Sequence, residues 1–173
     1  MLRRWMIGLG ANLGDARGAL ERTLQRLRAQ PRISLAGVSS LYRSAPVDAT
    51  GPDFLNAVVA LDSDLEPDAM LALAQSLETA EGRERPHHNA PRTLDVDLLM
   101  AGGLVLAGAS LTLPHPRMHQ RAFVLRPLLE IDPDATIAGL GAAAHWLDRC
   151  LDQPVERLGG WGLVTPATQE DVR

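Results

Sequence analysis

The sequence predicts an α+β fold with a ferredoxin-like βαββαβ core, an antiparallel sheet with helices, followed by C-terminal additional helices and short strands. Three observations predict it. Apolar segments of strand length alternate with segments of helical period in the order β-α-β-β-α-β. The second and third strand segments follow one another directly, as hairpin partners do. Each helical segment carries one apolar stripe, so both stripes can be buried on a single sheet face, leaving the other face for a ligand.

Taken in order, Trp5 to Leu9 reads as a buried strand that breaks at Gly8-Leu9-Gly10. Asp15 can cap a helix from Ala16 to about Ala29, with Leu20, Leu24 and Leu27 on one face, and Pro31 ends it. Ile33 to Arg43, rich in β-branched and small residues, leads into the loop from Ser44 to Pro52. Phe54 to Leu61 is the next strand. Asp64 and Pro67 start a helix whose stripe is Met70, Leu71, Ala74 and Leu77, with Gly82 as its stop. Thr93 to Met100 is another strand; Leu104–Leu106 and Leu111–Leu113 are short ones. Ala122–Ile131 is expected to be helical in part, interrupted at Pro127, and Ala142–Leu151 to be a further helix. The tail from about residue 159 carries little signal.

Composition narrows the function. A chain of 173 residues, 46% hydrophobic and 22% charged, suits one domain spanning residues 1–173. No apolar run approaches the ~20 residues of a membrane span. The N-terminal segment has no apolar stretch followed by a small-residue cleavage site, so export is not expected. Cys150 stands alone, which excludes an internal disulfide and points to a reducing cytoplasm. A net charge of −4 and 3% aromatic residues argue against a nucleic-acid platform. All 17 basic residues are Arg, so a P-loop of the Walker type, which needs Lys, is excluded.

The strand TLDVDLLM carries the most chemistry. Period-2 geometry sends Leu94, Val96 and Leu98 to one face and Asp95 and Asp97 to the other. Two carboxylates about 7 Å apart at Cα repel unless a cation lies between them, and hard oxygen donors suit Mg²⁺ with substrate phosphates. By itself such a pair is more often a solvated strand face than a metal site. Its flanks change the reading: Arg83, Arg85 and Arg92 lie upstream, and His115, Arg117, His119 and Arg121 downstream. Diacid, metal and phosphate-type donors together make a phosphoryl-transfer site. Gly8-Leu9-Gly10-Ala11-Asn12-Leu13-Gly14 has the wrong spacing for a dinucleotide fingerprint and reads as a tight strand-to-helix turn. His115 and His119 are spaced like zinc ligands, yet Pro116 precludes an ordinary helix between them. Asn56, mid-strand among apolar residues, either bonds backbone or reads a polar ligand.

Several stretches then line up in order: Gly8 to Asp15, Ser39-Ser40-Leu41-Tyr42, Phe54-Leu55-Asn56-Ala57-Val58, Glu78, Gly82-Arg83, Ala90-Pro91-Arg92-Thr93-Leu94-Asp95-Val96-Asp97, Leu113-Pro114-His115-Pro116-Arg117-Met118 and Arg121-Ala122-Phe123-Val124-Leu125. In this, from about residue 6 to about residue 133, the chain resembles the 6-hydroxymethyl-7,8-dihydropterin pyrophosphokinase family of folate biosynthesis. The resemblance implies transfer of diphosphate from ATP to the hydroxymethyl group of the pterin, giving the pterin diphosphate and AMP. It implies that Asp95 and Asp97 hold two Mg²⁺ ions, that Arg83 and Arg92 belong to a mobile loop over the site and act in catalysis, and that His115 and Arg121 meet the phosphates. It also implies an ATP site drawing on Gln75, Glu78, Arg85, Arg92, Leu98 and Thr112. The pterin would lie between Phe54 and Phe123, read by Asn56 and by backbone of the loop holding Ser44, Ala45 and Val47. Asn89 and Pro116 stand where some members carry Trp and Tyr.

The expectation is therefore a cytoplasmic, monomeric, ATP- and Mg²⁺-dependent diphosphotransferase, binding no nucleic acid and no membrane. Two rivals are a metal-dependent nucleotide hydrolase, which would consume ATP without pterin, and a non-catalytic ferredoxin-like ligand-binding module, which would not depend on Mg²⁺.

Overall fold

Strand β1, Arg3–Ala11, is an interior strand of the sheet, paired on both edges. Its alternate residues Trp5, Ile7, Leu9 and Ala11 enter one apolar core, while Met6 enters a second on the opposite face. A computed structural model of the protein describes residues 1–46, 50–82 and 93–161. In it β1 does not break at Gly8-Leu9-Gly10 but runs through both glycines, because antiparallel partners hold it on both edges. The turn comes later, at Gly14, whose φ of 60° is the left-handed conformation that glycine adopts without cost. Asp15 then caps helix α1, Ala16–Arg28, accepting a 3.0 Å bond from the Gly18 amide.

The segment after α1 is two strands, not one: β2, Ile33–Val38, and β3, Leu41–Ser44. Both pair antiparallel with β4, Phe54–Ser63. Ser39 and Ser40 leave the regular run because other partners claim them. The Ser39 hydroxyl accepts from the Val58 amide at 2.9 Å, and the Ser40 amide and hydroxyl both donate to the Glu130 carboxylate. Helix α2, Pro67–Ala80, starts at Pro67; Asp64 is taken by Arg32 at 2.8 Å. Strand β5, Asp95–Ala101, closes the core on the free edge of β1, giving the order β3-β4-β1-β5 of a ferredoxin-like sheet.

The remaining elements wrap the second face. A small hairpin, β6 (Leu106–Ala107) and β7 (Thr112–Leu113), precedes helix α3, Ala122–Ile131. That helix runs unbroken through Pro127, which forgoes only the bond its amide would make to the Phe123 carbonyl and is itself buried. Next come a second hairpin, β8 (Thr136–Ile137) and β9 (Gly141–Ala142), and a short helix α4, Ala143–Leu147, which stops before the expected Leu151. Strand β10, Val155–Gly159, then adds to the outer edge of β3. No alternation in VERLG announced it.

Two cores result. Between the sheet and α1/α2, Leu20, Leu24, Leu27, Met70 and Leu77 pack on Trp5, Ile7, Leu61 and Val96. On the other face, Met118, Val124, Leu125 and Leu128 pack on Met6, Val58, Ala60 and Leu99. The face expected to be left for a ligand is therefore half covered, and only its end around Gly8, Gly10, Asn56 and Asp95 stays outside that core. Among the described residues no helix is long and apolar enough to cross a membrane.

Candidate active site

Three neighbouring strands build the exposed end of the second face. In β5, Asp95 and Asp97 are half-buried on that face while Val96 and Leu98 turn into the helix-side core. The register sets Gly10 opposite Asp95 and Gly8 opposite Asp97. On the other side of β1, Gly10 faces Asn56 and Gly8 faces Val58. The sheet floor between Asn56 and Asp95 is thus bare backbone at Gly10, while at Gly8 the Leu99 side chain closes in, 3.4 Å from where a Cβ would stand. A Cβ on Gly10 would stand 3.4 Å from Asn56 Oδ1. Glycines two apart in a strand mark this floor, a signal the turn reading of the same motif passed over.

Asn56 is 4% exposed and donates from Nδ2 to the Ser44 hydroxyl at 2.8 Å and toward the Tyr42 carbonyl at 3.5 Å. Phe54, two residues earlier on the same face of β4, pairs with Ser44 of β3. A cavity of about 210 Å³ is lined by Ser44, Ala45, Pro46 and Phe123 together with the turn Asp152–Val155. A larger one of about 590 Å³, lined by Arg43, Arg126, Cys150 and Val155 among others, adjoins it and includes neither carboxylate. Phe123 stands at the start of α3 with the Arg121 guanidinium 5.6 Å above its ring.

The outer edge of β5 gathers the next group. Glu78 of α2 is 5% exposed and accepts from the Val96 amide at 3.0 Å. Alternation along β5 turns the Leu98 amide to the same edge as that of Val96, up to the irregularity that leaves Leu99 without a partner on β1. The Leu98 side chain is buried on the helix side. Gln75 and Thr112 are exposed on α2 and β7. The His115 amide donates to the Leu99 carbonyl at 2.7 Å, which holds its backbone beside β5. His115 Nδ1 accepts from the Arg117 amide at 3.1 Å, so the ring proton sits on Nε2 as a donor. Burial, then the charges of Arg121 and Arg117, push its pKa down from 6.5 to about 4, so the ring is neutral at physiological pH. His119 is not part of this group; it packs edge-on against Trp146 at 4.8 Å.

Val47, Arg83, Arg85, Asn89 and Arg92 lie outside the described residues. Among the described residues no three His, Cys, Asp or Glu side chains cluster as a self-sufficient metal cage. Asp95 and Asp97 do fit Mg²⁺ bound jointly with phosphates, which asks for one or two carboxylates, and Gly10, opposite Asp95, adds no side chain beside them.

Comparison with known proteins adds a family. Residues 6–133 match the family model described as 7,8-dihydro-6-hydroxymethylpterin-pyrophosphokinase. The chain is 41% identical over 139 residues to the 2-amino-4-hydroxy-6-hydroxymethyldihydropteridine pyrophosphokinase of Methylorubrum extorquens, covering 80% of this chain and 88% of that one. To the enzyme of the same name from Pseudomonas aeruginosa it is 37% identical over 161 residues, 92% of this chain and 99% of the other. Among solved structures, wild-type HPPK-DHPS of Plasmodium falciparum superposes with a TM-score of 0.70 at 11% identity, over 88% of this chain. The match spans 45% of that longer chain, and at this identity it speaks for the fold.

Proposed function

The chain belongs to the 7,8-dihydro-6-hydroxymethylpterin-pyrophosphokinase family, and from that premise we infer that it transfers diphosphate from ATP to the hydroxymethyl group of 6-hydroxymethyl-7,8-dihydropterin, a step of folate biosynthesis. The hydroxymethyl oxygen bonds to the β-phosphorus, the bond from that phosphorus to the α,β-bridging oxygen breaks, and AMP leaves with the electron pair. The hydroxyl proton is lost to solvent or to phosphate oxygen. The observation that supports this reading best is the glycine-floored strip that joins Asn56 to Asp95 and Asp97 across three strands. It offers a hydrogen-bonding end for a flat heterocycle and an anionic end for a metal-bound triphosphate.

Asp95 and Asp97 would hold Mg²⁺, two ions with ATP, whose chemistry is to neutralise the triphosphate and polarise the β-phosphorus. The chain's own groups do the rest. His115, neutral with its proton on Nε2, donates to a phosphate oxygen without a charge change, and Arg121 adds a permanent cation. Arg83, Arg85 and Arg92 would complete the cationic set. Phe54 and Phe123 would sandwich the pterin, with its amide edge on Asn56 and on the backbone of Ser44, Ala45 and Val47. Gln75, Glu78, Leu98 and Thr112 would take the nucleotide along the outer edge of β5. Positioning and charge neutralisation dominate such a reaction, so no strong general base is required. The test is AMP release followed with and without the pterin. Release that needs both pterin and Mg²⁺ is expected; equal release without pterin would make the protein a hydrolase, and none in either case would end the reading.

A further inference from the structure

We propose that the Ser44 hydroxyl is a positioning group: it anchors the Asn56 carboxamide, whose facing the acceptor-only Tyr42 carbonyl decides, and so keeps turned to the site the end that selects the edge of a heterocycle. The inference rests on the pterin reading of this site. A carboxamide has a donor end and an acceptor end of nearly equal size, so only its partners decide its orientation. Here Nδ2 points to β3, 2.8 Å from Ser44 Oγ and 3.5 Å from the Tyr42 carbonyl oxygen. A carbonyl can only accept, so the NH₂ end belongs on that side. Oδ1 is left over the glycine strip, 3.4 Å from where a Gly10 Cβ would stand. Ser44 and Asn56 are 6% and 4% exposed, so solvent offers no ready substitute for the bond between them.

The consequence is a demand on the ligand. An outward Oδ1 calls for a ring N–H or an exocyclic amine, which is the edge a 2-amino-4-oxo heterocycle presents. Take the hydroxyl away and the 3.5 Å contact to the Tyr42 carbonyl alone must hold the amide. At that length it is weak. A carboxamide held so loosely turns out of register with the ligand, leaving a ring donor unpaired in a buried site. ATP, held by the carboxylates and the edge of β5, does not feel this choice. Ser44 was expected to serve through its backbone; the side chain acts through Asn56 and is distinct from that.

The experiment compares wild type, Ser44→Ala and Ser44→Thr by calorimetry with 6-hydroxymethyl-7,8-dihydropterin and, separately, with a non-hydrolysable ATP analogue plus Mg²⁺, alongside steady-state turnover. Ser44→Ala is expected to weaken pterin binding and raise its KM about tenfold or more, with kcat and nucleotide affinity within about twofold of wild type. Ser44→Thr, which keeps the hydroxyl, should recover most of the loss. In an Asn56→Ala background, Ser44→Ala should cost nothing further. Wild-type pterin affinity in Ser44→Ala, a Thr variant as weak as the Ala variant, or an undiminished loss without Asn56 would each overturn the proposal. The side-chain amide resonances of Asn56 in the ligand-free protein separate the two levels of failure. They must shift in Ser44→Ala, and their constancy refutes the positioning role. Failure of the wild type to bind pterin refutes the reading of the site itself.

Discussion

His115 shows how a residue's neighbours settle its chemistry. With a folded pKa of about 4 against 6.5 unfolded, the unfolded chain binds more protons between those values. The stability this contributes is fully present above pH 6.5 and is lost as pH falls toward 4. Urea midpoints measured from pH 7.5 to 4.5 should therefore decline in wild type and decline less in His115→Gln; parallel curves would show that the ring is not held neutral. The sequence made this histidine a candidate by its arginine neighbours, and the diacid by its spacing. What it could not convey was the tautomer, which depends on the Arg117 amide folding back onto Nδ1. Asn56 is similar: its type and mid-strand place were legible, and of the two readings left open for it the structure shows the bonds to protein, to the Ser44 hydroxyl and the Tyr42 carbonyl. No periodicity encodes a bond across strands.

At the scale of elements, the division of β2 from β3 has a clear cause in Glu130. This one carboxylate at the end of α3 accepts from the Ser40 amide at 3.0 Å, the Ser40 hydroxyl at 2.6 Å and the Tyr42 hydroxyl at 2.6 Å. Burial would raise its pKa, but these bonds outweigh that and lower it. Burial and then the bond to Glu130 push the Tyr42 phenol up to about 12. Because the neutral phenol is the favoured folded form, its contribution is present below pH 10 and is lost as pH rises through 12. Tyr42→Phe should cost about 1 kcal/mol at pH 7 by chemical denaturation and should flatten the alkaline fall in stability. An unchanged alkaline limb would show that Tyr42 is not the group responsible. The βαββαβ order, both long helices and their stripes were legible because each follows a local period. The break at Ser39-Ser40 was not, since it is imposed by a residue some ninety positions away, and neither was a helix that tolerates Pro127.

For the whole molecule, the two cores share one sheet, and the candidate site occupies the part of that sheet left over by the second core. Ligands that bind only the closed sheet stabilise all of it by mass action. At a hundred times its dissociation constant, an ATP analogue with Mg²⁺ should add about 2.7 kcal/mol. For a chain of 173 residues that raises Tm by roughly 5–10 °C. Asp97→Asn should lose most of this rise while melting as a single transition without ligand; equal rises in both proteins would remove Asp97 from the nucleotide site. The interior place of β1 has one more consequence, in the order of synthesis. Arg3–Ala11 is made first but pairs with Phe54–Ser63 and then with Asp95–Ala101. At about 5–20 residues per second the ribosome needs roughly 5–20 s to deliver the second of these partners. Until then β1 has an uncovered edge, and the glycine strip, the carboxylates and Asn56 belong to separate stretches of nascent chain. Ligand binding in a growing polypeptide would therefore report the arrival of its last core strand.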